Sequence, residues 1–234
     1  TLYLMKKRLT LCITIFLALV SLFQPACSVF ADTIPATGPQ SENYVSASAS
    51  ISALSPFINS VATTGNPHQA AGIFARDLFA APIVQQPASA PAYVATAANQ
   101  ATQFAMAAQY GSIALLAHNY LLGEQFFNIQ PGKILSLVYG DGHIQNFRVQ
   151  EVLEYQALSP NSPYSDFVDL NANIRLSVTD LFYKVYAQKG KLVLQTCIEA
   201  NGDPSWGRLF IIAEPVEIVT PLYTYHGNKS VMMR

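Results

Sequence analysis

The chain has 234 residues, of which 51% are hydrophobic and 12% charged, and its formal net charge is −1. This length accommodates one ordinary domain with accessory segments, and the apolar content is sufficient for a buried core. Nucleic-acid binding is disfavoured, because there is no excess of lysine and arginine to neutralise phosphates.

The N-terminus has the order of an export signal. Three basic residues at 6–8 precede an uncharged apolar run at 9–23, and the stretch "SVFA" ends at Ala31 as a cleavage site would. We therefore predict a signal peptide over residues 1–31 and an exported protein, extracellular or associated with the cell envelope. The apolar run is shorter than the roughly 20 residues of a membrane span. An uncleaved anchor, with membrane association through the N-terminus, is the alternative; lipid attachment at Cys27 is disfavoured by the residues before it.

The number and positions of the cysteines limit the roles that Cys197 can have. Cys12 and Cys27 lie in the predicted signal, so its removal leaves Cys197 alone and excludes an internal disulfide. A single cysteine in an exported protein indicates a reactive thiol or an intermolecular pair. The alternative is that Cys197 is a small buried apolar residue.

Two segments of low charge follow the signal. Residues 32–66 are rich in alanine, serine and proline, which is typical of a low-complexity linker. Residues 67–108 are rich in alanine and glutamine, and the apolar residues within 73–79 have helical spacing. We predict a helical segment here, which either packs on the following domain or covers a binding groove.

From residue 109 the pattern becomes that of β-strands, and we predict a β-barrel domain over 109–218. The stretch "GSIALLAH" is an apolar strand that ends at His118. A hairpin follows with its turn at 140–142, where two glycines permit positive φ, and a break in alternation predicts a bulge near Glu151.

The remaining elements are predicted in the same way. A loop with a short turn or helix covers "SPNSPYSDFVDL", a second hairpin turns at 188–191, and "RLFIIAEPV" is a buried strand. A polar tail occupies 219–234. Short strands without alternating helices favour a mainly β fold, an antiparallel or mixed barrel.

Cys197 lies near a second polar residue in this scheme. Alternation places Leu192 and Leu194 on the core face of their strand and Cys197 on the other face, at the strand's end. A stretch with loop composition, 198–207, separates it from Arg208, which opens the next strand. Adjacent antiparallel strands would bring the two side chains within a few ångströms.

A thiol needs a base or a cation nearby to act as a nucleophile at neutral pH. His118 is the best candidate base, and Arg208 could stabilise an oxyanion. The alternatives are a structural histidine and a surface arginine. Trp206 could line a groove or simply pack. We predict no metal site, because the acidic residues are scattered, and no cofactor.

Three stretches carry a resemblance to a family. "LLAHN", then "LVLQTC", then "GRLFIIA" resemble the motifs of the sortases, the cysteine transpeptidases of bacterial cell envelopes. The resemblance covers about residues 109–218, and Val193 departs from the family's usual threonine. It implies a closed eight-stranded β-barrel with short helices, preceded here by the Ala-rich, partly helical N-terminal region.

The resemblance also implies roles for individual residues. Cys197 is the expected nucleophile, His118 the general acid/base and Arg208 the stabiliser of the oxyanion or substrate. Thr196 matches a threonine that shapes the family's site, and we group with it two residues expected to shape the site or bind substrate, Asn119 and Trp206.

The implied reaction is transpeptidation. The thiol attacks a peptide bond in a C-terminal sorting signal of a protein substrate, and an amine of peptidoglycan, a pilin lysine or another acceptor takes the acyl group. Papain-like enzymes place the cysteine before the histidine, the reverse of the order here. A sortase-like hydrolase and an exported non-catalytic β-domain with a buried cysteine remain as alternatives.

Overall fold

A computed structural model describes residues 45–162 and 164–217, with 45–52 described by their backbone only. The predicted signal peptide, the start of the predicted linker and the predicted tail over 219–234 lie outside the described residues. The described helices are α1 (Val45–Val61), α2 (Ala105–Gln109), α3 (Val178–Tyr186) and a 3₁₀ helix (Leu122–Asn128). The strands are β1 (Ala70–Ala75), β2 (Phe79–Gln85), β3 (Ala101–Gln103), β4 (Ile113–Leu116), β5 (Ile134–Tyr139), β6 (Ile144–Ala157), β7 (Phe167–Asp169), β8 (Arg175–Leu176), β9 (Leu192–Ala200) and β10 (Asp203–Pro215).

Eight of these strands form a closed barrel. Their order is β10-β9-β4-β3-β2-β1-β5-β6, and the pairing of β6 with β10 closes the ring. β7 and β8 extend the sheet from β6 outside the ring. The β2–β3 and β4–β9 pairs are parallel and the other pairs are antiparallel. The mainly β fold with a closed eight-stranded barrel is thus confirmed.

Apolar side chains on the two faces of the barrel wall form two separate cores. One fills the barrel interior and includes Leu115, Leu194 and Leu209. The other lies between the outer wall and the helices α2 and α3, and it includes Phe182 and Phe210. Alternation along β4, β9 and β10 therefore places one residue in the barrel and the next in the core under α2 and α3.

Helix α1 packs on the outside of β1. The ring of Phe57 lies 6.2 Å from that of Phe74, and Gly72 leaves the space in which Phe57 and Val61 pack. In the ring of eight strands β1 is four positions from β9 in either direction, so α1 docks on the side of the barrel opposite β9. None of the helices in the described ranges combines the length and apolar character needed to cross a membrane.

The predicted boundaries before the barrel were wrong. Residues 45–61, assigned to the linker, are helix α1, whose half-buried residues Leu54, Phe57 and Val61 recur with helical spacing. The predicted helical segment, 67–108, instead contributes β1, β2 and β3, and its α-helix is the five-residue α2. Its alanines are small residues that line a crowded barrel, and the apolar residues within 73–79 flank a tight turn.

Two later predictions also need correction. Residues 181–186, predicted as part of a hairpin, belong to helix α3, whose N-cap Ser177 accepts a hydrogen bond from the Asp180 amide. The valine, tyrosine and phenylalanine of this segment favour strands, but their buried positions follow the helical period. Residues 167–169, predicted as loop or short helix, pair with β6 as β7.

The β5–β6 hairpin matches its prediction. Its turn includes Gly142 at φ 93°, and Ile144–Val138 is the pairing nearest to that turn. The predicted bulge near Glu151 is present as well, because the pairing of β6 with β10 shifts register between Ile212 and Ala213, opposite Glu151 and Val149.

Candidate active site

Cys197 lies within β9, on the outer face of the barrel wall. It is 8% exposed and is the free cysteine of the described residues. The prediction that Cys197 ends its strand was wrong: β9 continues to Ala200, and a tight turn at Asn201 and Gly202, both with positive φ, replaces the expected loop. The core assignment is correct, since Leu192 and Leu194 of the same strand point into the barrel.

Arg208 is the direct neighbour of Cys197 on β10. The antiparallel register pairs the two residues, so their side chains emerge on the same face. Arg208 is only 3% exposed, and its Nη1 donates hydrogen bonds of 2.8 Å to the carbonyls of Ser205 and Gly207. No carboxylate pairs with it among the described residues. Because a buried guanidinium without a counter-ion is costly, a negatively charged or strongly polar group that binds next to it is stabilised.

His118 follows β4 on the other side of Cys197. The parallel β4–β9 pairing sets Leu116 beside Gln195, and the Ala117 amide donates to the Gln195 carbonyl at 3.2 Å. If the strand alternation continued for two residues beyond Leu116, it would bring His118 level with Cys197 on the same face. We call these three predicted residues the row: Cys197 and Arg208 are paired on β9 and β10, and His118 follows β4, the strand on the other side of β9.

The surroundings of His118 keep its imidazole neutral. Burial lowers the pKa of His118, and a hydrogen bond with the Val94 carbonyl partly opposes this. The imidazole also stacks on the exposed Tyr120, with ring centroids 5.1 Å apart. A neutral imidazole at neutral pH can accept a proton from a thiol.

Contacts behind the row fix the end of β4 against β9. The Thr196 hydroxyl donates to the Ala117 carbonyl at 2.9 Å. Gly123 of the 3₁₀ helix fits against this bond, since a Cβ there would lie 2.2 Å from Thr196 Oγ1 and 2.6 Å from the His118 carbonyl oxygen. The Asn119 side chain donates to the Pro204 carbonyl at 3.0 Å and so connects the segment after β4 to β10.

Trp206 and the acidic residues of the domain complete the description of the site. Trp206 is half-buried on β10, two residues before Arg208. The acids Asp166 and Asp169 pair with Arg175 and Lys184, at 2.8 and 3.5 Å. Across the described ranges, no group of three or more histidine, cysteine or acidic residues is arranged to hold a metal ion.

The sequence analysis missed a pocket beside the row. It lies between α3 and the outer wall of β9 and β10, and its lining residues are Phe104, Phe167, Val178, Leu181, Phe182, Val185, Tyr186, Gln195, Arg208 and Phe210. Half of these residues belong to α3, most of which was predicted as part of a hairpin. The serine and aspartate of "SVTD", three residues apart, were the available signal of a helix start.

Comparisons with known proteins gave structural matches only. No family model matches the chain, and no curated protein sequence matches it. Among solved structures, sortase A of Listeria monocytogenes is 12% identical over 64% of this chain and 88% of its own, with a TM-score of 0.41. Sortase C1 of Streptococcus suis is 11% identical over 78% and 90%, with a TM-score of 0.42. Sortase E1 of Streptomyces coelicolor is 16% identical over 66% and 91%, with a TM-score of 0.39. The solved structures to which this chain is similar thus include sortases.

Proposed function

We propose that the chain is a sortase-like cysteine transpeptidase with Cys197 as nucleophile, His118 as general acid/base and Arg208 as oxyanion stabiliser. The observation that supports this most is the row itself: Cys197 and Arg208 are paired on neighbouring strands, and His118 lies two residues after β4, which pairs with β9 on its other side. The resemblance of the motifs around these residues to those of sortases gives the proposal its substrate class.

The proposed reaction has two steps. His118 takes the thiol proton, and the Cys197 sulfur attacks a peptide carbonyl of the sorting signal. The oxyanion of the tetrahedral intermediate forms within reach of Arg208. His118 then gives its proton to the departing amine as the C–N bond breaks, which leaves a thioacyl enzyme.

The second step reverses these roles. An acceptor amine attacks the thioester carbonyl and gives a proton to His118, and the Cys197 sulfur leaves as the new amide bond forms. We propose an amine of the cell envelope or of a pilin as the acceptor, and an exported location for the enzyme. With water as the acceptor, the same residues would act as a hydrolase.

A specific observation favours a second candidate. Cys197 is 8% exposed, and buried cysteines are inert in many proteins. The chain could then be an exported, non-catalytic β-domain. The two candidates differ in one measurable property, which is the reactivity of the thiol in the folded protein.

The test is the rate at which iodoacetamide alkylates Cys197 in the full chain between pH 5 and 9, quantified by mass spectrometry of the peptide that contains it. An ordinary thiol, with a pKa of about 8.5, is only about 3% ionised at pH 7. We expect the folded protein to react about 10-fold faster at pH 7 than the urea-unfolded chain, and His118→Ala and Arg208→Ala to remove most of that difference.

Matched controls exist for both substitutions. His143 is another histidine, at the β5–β6 turn, and Arg175 is an exposed arginine on β8. His143→Ala and Arg175→Ala should react like the wild type. A Cys197 that labels only after unfolding would favour the non-catalytic domain and reject the transpeptidase.

A further inference from the structure

The pocket beside Cys197 contains two polar side chains in an otherwise apolar lining. Gln195 and Arg208 lie among phenylalanines, aliphatic residues and Tyr186. Gln195 shares the outer face of β9 with Cys197 and precedes it by two residues, about 6.6 Å along the strand. An extended peptide bound next to the thiol would pass this position.

Gln195 is buried, and only one end of its carboxamide has a partner. It is 6% exposed, and its Oε1 accepts a hydrogen bond from the Tyr186 hydroxyl. Its Nε2 makes no hydrogen bond with any other residue of the described ranges. Nε2 is not among the fully buried atoms that lack a partner, so it keeps contact with solvent, and an acceptor that enters the pocket could replace water there.

Tyr186 determines which end of the carboxamide is available. The phenol is fully buried against Phe104 and Phe210, with ring centroids 5.3 and 6.0 Å away. Burial raises the pKa of Tyr186 far above its usual value, so the hydroxyl stays protonated and keeps its one donor. Because that donor occupies Oε1, the two N–H groups of Gln195 are left for a ligand.

We propose that Gln195 is a substrate-binding residue that donates a hydrogen bond to a main-chain carbonyl of the peptide substrate, and that Tyr186 is the positioning residue that orients it. This inference rests on the proposed function, because it places the peptide next to Cys197. A main-chain carbonyl suits this position, because an extended peptide next to Cys197 presents carbonyls along its length to a pocket in which eight of the ten lining residues carry hydrocarbon or aromatic side chains.

The experiment compares two alkylating reagents on Cys197 of the full chain. One is iodoacetamide and the other is the fastest member of a series of acetyl-tetrapeptide chloromethyl ketones with Ala, Leu or Phe at each position. In both reactions the sulfur forms a bond to carbon as a halide ion leaves. The ratio of the two second-order rate constants measures peptide binding, because the reactivity of the thiol cancels.

We expect Gln195→Met, which keeps the shape of the side chain without its donors, to lower this ratio about 10-fold. Gln195→Glu, which keeps an acceptor for Tyr186, should lower it as much. Tyr186→Phe should lower it by a smaller factor and should have no further effect in the Gln195→Met background, because it acts through Gln195. A purely structural role for Tyr186 would give additive effects.

The control is Tyr183→Phe, which removes a phenol from the same helix outside the pocket lining. It should leave the ratio at the wild-type value. A wild-type thiol that reacts with neither reagent would reject the proposed function. A thiol that reacts with both reagents, at a ratio unchanged by Gln195→Met and Gln195→Glu, would reject the role of Gln195 and leave the proposed function standing.

Discussion

The residues of the row differ in what burial does to them. Arg208 donates hydrogen bonds to two backbone carbonyls, whereas burial lowers the pKa of His118. The site therefore combines a permanent cation with an imidazole that is neutral at neutral pH. This combination provides a base for the thiol and a positive group for an oxyanion at the same pH.

The lowered pKa of His118 predicts a pH dependence of stability. Between the folded-state pKa and about 6.5, the unfolded chain binds more protons than the folded one. The free energy of unfolding should therefore fall as the pH drops from about 6.5 towards the folded-state pKa. Below that pKa His118 is protonated in both states, so it causes no further loss of stability. His118→Gln should remove this component, which urea unfolding at several pH values between 4 and 8 would measure.

The control for this measurement is His143→Gln. His143 is exposed and pairs with Asp141 at 2.6 Å, far along the chain from the site. His143→Gln leaves His118 in place, so the pH-dependent component of stability that His118→Gln removes should remain in this variant. Parallel pH profiles for wild type and His118→Gln would contradict the prediction.

The three residues of the row could be predicted because their signals are local. Each lies within or just after an apolar strand, and Cys197 is the sole cysteine outside the predicted signal. Gln195 and Tyr186 could not be identified in the same way. Their importance depends on a contact between α3 and β9 that neither segment shows by itself.

At the scale of the elements, helix α1 packs against a glycine of the barrel. Gly72 has no side chain, and the atoms of Phe57 and Val61 fill the space where one would lie. The outward-facing residues of β1 are buried only because α1 covers them. The docking of this helix is thus a close fit at one point of the strand.

Gly72→Ala tests this fit. The added Cβ would lie 2.7 Å from Phe57 Cζ and 2.8 Å from Val61 Cγ2, so both side chains must move. We expect about 1–3 kcal/mol of lost stability and faster hydrogen exchange in the C-terminal half of α1. The alkylation rate of Cys197 should not change, because α1 docks on the opposite side of the barrel.

Phe57→Ala provides the comparison for this substitution. It removes the ring that the new Cβ would meet. The stability lost in the Gly72→Ala, Phe57→Ala double variant should therefore be smaller than the sum of the losses in the two single variants. Additive losses would show that Gly72→Ala acts by some route other than collision with Phe57.

The two wrong predictions of secondary structure have a common cause. In 67–108 the alanines favour helices as isolated residues, and in 178–186 the aromatic and β-branched residues favour strands. Tertiary packing reverses both preferences, because the barrel needs small residues on β1 and β2 and the outer wall needs large ones from α3. The hairpin at 140–142 was predictable since its glycines act within the turn itself.

For the whole molecule, the position of the first barrel strand decides which fragments can fold. A chain that starts at residue 62 keeps all ten strands, whereas one that starts at 109 lacks β1, β2 and β3. The second fragment would leave β4 and β5 with open edges and the barrel interior exposed to water.

We expect the fragment 62–234 to unfold cooperatively in urea, at a lower midpoint than the full chain, and the fragment 109–234 to show no cooperative transition. Trp206, the single tryptophan, reports the transition by fluorescence. Cooperative unfolding of 109–234 would contradict the closed eight-stranded ring as the unit of stability.

The parallel pairing of β4 with β9 also affects when reactivity can arise. Ala117 and Thr196, which join the two strands by a hydrogen bond, are 79 residues apart in the chain. Contacts of such long sequence separation form late in folding, because a large loop must close first. The thiol should therefore meet its base only once the ring has closed. A nascent or misfolded chain would then carry an ordinary cysteine, and reactivity itself would report completed folding.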